Sequence, residues 1–334
     1  MRNFLILAAT LLAVSAVSAF AAEPCQLKLY GVIPFETGEG GHISLPATLG
    51  GQSTRLELDT GAFWSVINGD LAKSLNLTLQ PSTYIEMRDL AGAKIDKIAR
   101  VPEVKVGNLS FGAADFFVSG SAVGSIERDG GLLGQNLLTQ VDLEIDNAAK
   151  TISLFSQDHC PGDGVHWADE AVTLQYRRAA SGLSSDDSGS GASYGGGTRF
   201  RQKIDKNQID PPIVTAEVEG APLAILFDTG STYTAMDLGM ARRRFHLEPG
   251  SPGVQPAGKI YAVSGEAIDS YSYTFKSLTI AGIKFENVPV TLADFHNNAQ
   301  MILGMNEMKH LHLYFSFKEG LIYITAADAK RTPK

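Results

Sequence analysis

The sequence predicts an all-β protein built from two similar lobes, and three observations predict it. Short apolar runs are punctuated throughout by turn signals. A pair of motifs recurs once at nearly constant spacing. Between the two copies lies 181–197, SGLSSDDSGSGASYGGG, in which 12 of 17 residues are Gly or Ser and nothing can build a core.

The repeat carries most of the weight. Asp59-Thr60-Gly61-Ala62 answers to Asp228-Thr229-Gly230-Ser231 at an offset of 169 residues. Gly131-Leu132-Leu133-Gly134 answers to Met301-Ile302-Leu303-Gly304 at an offset of 170. The register continues beyond the motifs, with Val141 to Ile145 falling on Leu311 to Phe315, and before them, with Gly51 falling on Gly220. Each glycine closes a hairpin that leads into the strand ending on an aspartate.

Within each lobe the pattern is that of strands. Leu56 and Leu58 alternate with polar neighbours, as in a half-buried strand, whereas Ala224 to Phe227 is continuously apolar, as in a fully buried one. Turns are expected at Gly50-Gly51, Ala91-Gly92, Gly107-Asn108, Gly220, Ser264-Gly265 and Gly282. Helix is confined to short pieces at 70–75, 135–139 and 236–245.

Composition bounds the function. The chain has 334 residues, 44% hydrophobic and 19% charged, enough for two ordinary cores. A formal charge of −8, with no basic cluster interleaved with aromatics, argues against a nucleic-acid partner. Residues 1–21 have a basic start at Arg2, an apolar stretch from Phe4 to Val17 and small residues before Ala21, the order of a cleavable secretory signal. The mature chain is then expected outside the inner membrane, periplasmic or extracellular, without a membrane span. In such a compartment Cys25 and Cys160 are expected to pair.

The chemistry sits in the recurring tripeptide. Two carboxylates that share a proton can activate a water between them, one as base and one as acid, because like charges about 3 Å apart cannot both ionise. Asp-Thr-Gly is a suitable mount: the Thr hydroxyl can bond into the partner loop, and Gly allows close approach. One such tripeptide is weak support; two in repeat register, each followed by an apolar-apolar-Gly strand, are strong.

On these residues the chain resembles the aspartic peptidases of the pepsin and retropepsin superfamily. LELDTGA and AILFDTGS are similar to that family's active-site strands, and GLLG and MILG to the strand threading beside each; GLLGQNLLTQ is similar to the end of retroviral proteases. The resemblance covers 30–157 and 208–327. It implies two retropepsin-like β-barrel lobes in a pepsin-like bilobal arrangement, with Asp59 and Asp228 catalytic. Thr60, Gly61, Ala62, Thr229, Gly230 and Ser231 would support their loops, and Leu132, Leu133, Gly134, Ile302, Leu303 and Gly304 would back them structurally. Flap hairpins are implied at 84–97 and 260–271, with Tyr84, Gly92, Tyr261 and Gly265 as their candidate residues.

The chain departs from the family in one respect. Retroviral enzymes pair an Asp after D-T-G-A with an Arg after the later Gly, near the dimer seam. Here those places hold Phe63 or Thr232, and Gln135 or Met305. The usual fastening of the lobes is therefore missing. Ala62 stands where Ser231 stands in the other lobe, so one hydroxyl that could stabilise a carboxylate is absent, and a mildly acidic optimum is expected.

Other signals lead elsewhere. His310 and His312 are expected on a solvated strand face with no third ligand beside them. Arg242-Arg243-Arg244 reads as a solvated helix face. No metal and no cofactor are expected. The expected organisation is a signal peptide at 1–21, an N-terminal lobe at 22–160, a linker at 161–207 and a C-terminal lobe at 208–334. The expected function is an aspartic endopeptidase, a functional monomer acting on extended peptide or protein. The alternative is a non-catalytic peptide-binding or envelope-interaction protein on the same scaffold.

Overall fold

A computed structural model describes residues 27–38, 41–83, 87–120, 129–157, 165–176, 211–262, 264–295 and 300–329. The expected signal peptide, Cys25 and Cys160, Tyr84 and the Gly/Ser-rich tract lie outside the described residues.

The fold is mostly β, with two closed six-strand barrels. In the first, strands Ile43–Leu49, Gln52–Leu58, Gly131–Leu133, Val66–Ile67, Leu109–Val118 and Lys97–Val106 follow one another around the barrel, and the last pairs back to the first. The second repeats this circuit with Ile213–Val218, Ala221–Phe227, Met301–Leu303, Ala235–Asp237, Ile283–Ala293 and Ala267–Ile280. Closure leaves no free edge in either ring. Turns at Gly50-Gly51 and Glu219-Gly220 require a left-handed backbone, with φ of +86° at Gly51 and +79° at Gly220.

The apolar-apolar-Gly strands explain themselves in this circuit. Gly131–Leu133 runs parallel beside Gln52–Leu58 and antiparallel to Val66–Ile67, so it threads between two neighbours. Met301–Leu303 does the same in the second barrel. Leu133 and Leu303 are buried, and a Cβ on Gly134 or Gly304 would lie 2.6 Å from Trp64 C or 2.5 Å from Tyr233 C. Only a residue without a side chain fits there.

The barrels are joined by a six-stranded sheet in the order Leu29–Pro34, Thr151–Phe155, Asp142–Asp146, Leu311–Ser316, Leu321–Ala326 and Val172–Gln175. Its central pair is contributed by equivalent strands of the two repeats, running antiparallel with Glu144 opposite Tyr314. Those two residues are themselves equivalent at the 170-residue offset, so the pseudo-two-fold axis passes between them. Leu143, Ile145, Leu313 and Phe315 are fully buried on one face. Side chains of this kind each contribute about 1.5–3 kcal/mol on burial.

Three details differ from expectation. His312 is not solvated: it is buried, 2.9 Å from Glu144 Oε1, and stacked on Trp167 with ring centroids 3.9 Å apart. Segment 165–171 covers that face of the sheet, which the strand's own alternation could not reveal; His310 is exposed in the preceding turn. The strand into Asp59 is not half-buried either, since Glu57 is only 2% exposed. The third helix is Leu238–Phe245, started by the Asp237 side chain accepting from Met240 N, and Met236 belongs to a strand. Arg242, Arg243 and Arg244 are exposed on it, as expected.

Candidate active site

Strands Gln52–Leu58 and Ala221–Phe227 end on Asp59 and Asp228, whose backbone N–H groups donate to Leu133 O and Leu303 O, each at 3.1 Å. The two strand ends meet at the boundary between barrels. Thr60 Oγ1 donates to Phe227 O at 2.7 Å and Thr229 Oγ1 donates to Leu58 O at 2.6 Å. Each hydroxyl also accepts the other threonine's backbone N–H, at 3.0 and 3.1 Å. Both threonines are fully buried, so these four bonds work without competition from water.

The glycines are required by proximity. A Cβ on Gly61 would lie 2.3 Å from Asp228 Cγ, and one on Gly230 would lie 2.5 Å from Asp59 Cγ. Each aspartate thus lies against the backbone of the opposite loop, close enough for each carboxyl to act on the other's protonation. Asp59 Oδ1 accepts from Gly61 N at 2.9 Å and Ala62 N at 2.7 Å, whereas Asp228 Oδ1 accepts from Gly230 N at 2.9 Å. The Ser231 hydroxyl was expected to be available to a carboxylate. It donates instead to Tyr233 O at 2.9 Å.

Both carboxyls are held above the usual carboxylate range. Burial pushes Asp59 well up, and the charges of Asp228 and Glu57 push it further, against the N–H bond from Ala62. Burial also raises Asp228, to about 6, with the hydrogen bonds from Asp59 and Gly230 and the charge of His42 holding it back. The pair therefore keeps a proton where an isolated aspartate would have lost it.

Support differs between the lobes. Gln135 Nε2 donates to Thr60 O at 2.6 Å, while its counterpart Met305 packs near Gly41. Ser65 Oγ donates to Asn136 Oδ1 and accepts from Gly134 N, and Thr234 Oγ1 accepts from Gly304 N and donates to Glu307.

The missing seam contact has a substitute that sequence reading passed over. His42 Nδ1 lies 2.7 Å from Glu57 Oε1, and His42 Nε2 lies 2.8 Å from Thr232 Oγ1 in the other lobe. A signal for it existed: Glu57 is a charge at the place where the second repeat has Leu226 in a continuous apolar run.

Two hairpins meet beside the pair. Met87–Arg88 and Lys94–Ile95 flank a turn in which Asp89 Oδ1 accepts from Ala91 N and Ala93 N, with Gly92 at φ +84°. Asp89 Oδ2 accepts from Ser264 N at 2.9 Å, in the turn between Gln255–Tyr261 and Ala267–Ile280 that also contains Gly265. Leu90 packs against Leu226, Ala235 and Ile302 of the second barrel, and Met87 and Ile95 against Val66 and Leu132 of the first. Tyr261 is 62% exposed. Among the described residues no group of three or more His, Cys, Asp or Glu could hold a metal ion, and no helix is long and apolar enough to cross a membrane.

None of the curated proteins matches this chain in sequence. Among solved structures, a retropepsin-like aspartic protease from Rickettsia conorii is 21% identical, covering 39% of this chain and 94% of its own, with a TM-score of 0.29. An aspartic proteinase from Irpex lacteus is 12% identical, covering 89% of this chain and 97% of its own, with a TM-score of 0.48. The aspartyl protease family model matches twice, at 45–137 and 214–306, once on each repeat. With more than half of its length matched in this way, the chain belongs to the aspartyl protease family.

Proposed function

We propose that the protein is an aspartic endopeptidase in which Asp59 and Asp228 hydrolyse peptide bonds in the cleft between the two lobes of one molecule. The observation that carries this reading is the reciprocal Thr60–Thr229 bonding, which brings the two carboxyls together within a single chain. A binding module would have no use for two buried, raised carboxyls at the ends of two core strands.

The reaction follows from a pair that holds one proton. The ionised carboxyl takes a proton from a water, whose oxygen attacks the peptide carbonyl, while the protonated carboxyl hydrogen-bonds and then protonates the carbonyl oxygen. Collapse of the tetrahedral intermediate returns a proton to the amide nitrogen and breaks the C–N bond, leaving one acid and one amine. The hairpin turns at Gly92 and Gly265 serve as flaps over an extended peptide, the first resting on the second barrel through Leu90 and on the first barrel through Met87 and Ile95. The raised carboxyls favour an optimum in mild acid over one in strong acid. The protein is a secreted monomer on this reading, delivered by the segment at 1–21 and cross-linked between Cys25 and Cys160.

Asp59→Asn and Asp228→Asn test the reading. Each should abolish cleavage of a peptide library with little change in thermal stability, and mixing the two variants should restore nothing. Substantial recovery on mixing would mean that lobes pair between chains; full activity of either variant alone would remove the dyad.

A further inference from the structure

The seam between the lobes has two sides, related by the same pseudo-symmetry as the aspartates, and they are built differently. On one side Glu57, His42 and Thr232 form a continuous polar chain across the lobe boundary. The three positions on the other side, at the 169-residue offset, are Leu226, Pro211 and Phe63, none of which ionises. Leu226 demonstrates that the barrel does not need an acid at this place. A buried carboxylate costs several kcal/mol unless it is paired, and neither Glu57 Oε2 nor His42 Nδ1 makes a hydrogen bond among the described residues, so the two side chains meet as an ion pair at 2.7 Å. His42 is therefore the cation that Glu57 faces, and it is 17% exposed.

We propose that Glu57, His42 and Thr232 form a one-sided latch of positioning residues, which holds the Asp228 loop against the Asp59 loop and balances the electrostatic field on both aspartates. The latch rests on the peptidase reading only for what the aspartates do. Glu57 is two residues before Asp59 on the same strand, and Thr232 is four residues after Asp228 on its loop, with Thr232 O accepting from Asn306 N at 3.0 Å. Any separation of the lobes on this side would pull His42 away from Thr232.

The electrostatics act in opposite directions. The Glu57 charge raises both aspartates, and the His42 charge lowers Asp228. His42 faces Glu57, Asp228 and Asp129, the last of which accepts from Ser44 Oγ, itself bonded to Arg55 Nε. Burial by itself would lower the imidazole, but these three acids, Glu57 foremost, raise it above its ordinary value. The ring is thus charged in mild acid. On losing its proton it can keep both contacts, since Nδ1–H still faces Glu57 and the Thr232 hydroxyl can turn to donate to Nε2. What disappears is the positive charge that offsets Glu57 beside the dyad.

This predicts shifts of opposite sign. His42→Gln should move the acid limb of kcat/KM up by about one pH unit, which is a roughly tenfold loss on the acid side. Glu57→Gln should move the same limb down by about as much, and the double variant should return close to the parent. A merely structural role would lower activity in both variants without displacing the limb. Carboxyl 13C titration of Asp59 and Asp228 in the full mature chain reads the same shifts with no substrate present, and imidazole titration should give a lower His42 midpoint in Glu57→Gln. If the parent cleaves no peptide, the peptidase reading falls while the titrations still decide the latch. Shifts of the same sign, or none, overturn it; should His42→Gln fail to fold, the sign of the Glu57→Gln shift decides alone.

Discussion

The first and second barrels share one circuit of strands, yet they meet each other with complementary chemistry. In the central pair of the joining sheet, the first repeat contributes Asp142 and Glu144, and the second contributes His312 and Tyr314 at the equivalent places. Tyr314 OH donates to Asp142 Oδ2 at 3.1 Å, and His312 Nε2 lies 2.9 Å from Glu144 Oε1. Acceptors stand on one side and donors on the other. Two identical subunits would bring acid against acid at this seam, so the division of roles is open only to a chain that contains both copies. Around the aspartates the division continues, with Gln135 against Met305 and Glu57 against Leu226. The parts by which the two aspartate loops grip each other, the two threonines and the two glycines, are the same in both repeats.

The comparison predicts where substitutions should act alike and where they should not. The largest effects fall on the shared parts. Gly61→Ala and Gly230→Ala should each abolish cleavage, because the new methyl would lie 2.3 or 2.5 Å from the opposite carboxyl carbon; an assay finding either one active would mean that the loops can separate. Thr60→Val and Thr229→Val should each lower stability by about 2–4 kcal/mol, through a lost bond to a carbonyl and an unsatisfied backbone N–H. Denaturant titration should give similar values for the two, and a clear inequality would break the symmetry of the grip.

Unlike parts should respond unequally. Asp142 is pushed up to about 7, mainly by burial, against bonds from Tyr314, Phe317 N and Ser316. Its ionisation is therefore opposed in the native state: stability is unaffected below about pH 4, falls as pH rises from about 4 to 7, and is flat above, a loss of order 4 kcal/mol. The raised aspartate pair acts in the same direction. His42 adds to it, since the stability from a raised imidazole is complete below its unfolded value near 6.5 and is lost as pH passes its higher folded value. Thermal melts should show the highest Tm in mild acid, and Asp142→Asn should flatten the slope where His312→Gln does not reproduce that change.

Smaller effects test the supports. Gln135→Met, which copies the second repeat into the first, should cost about 1 kcal/mol through the lost bond to Thr60 O, whereas Met305→Leu should be nearly neutral. Asp89→Ala removes the hydrogen bond from Ser264 N that joins the hairpin turns and should raise KM a few-fold while changing kcat less. A KM left unchanged would separate the hairpins from substrate binding.

Much of the site was legible because the repeat is local in sequence. An aspartate at the end of an apolar strand, a threonine and a glycine after it, and an apolar-apolar-Gly strand 72 or 73 residues on are all visible without coordinates. They state which strand ends must come together, since each tripeptide needs its twin to satisfy its hydroxyl and fill the space its glycine leaves.

What the sequence by itself determined was therefore the architecture: two copies of one barrel, all-β, with Asp59 and Asp228 in equivalent positions. The tertiary structure decided how the copies are fastened. Glu57 looked like the polar member of a half-buried strand, and His312 like a solvated histidine, because alternation reports which residues share a face and not what covers that face. Their partners, His42 across a barrel strand and Glu144 168 residues away, are set by packing between segments far apart in the chain. Both pairs are shielded from water by burial, and burial is a property of the assembled lobes that neither strand carries alone.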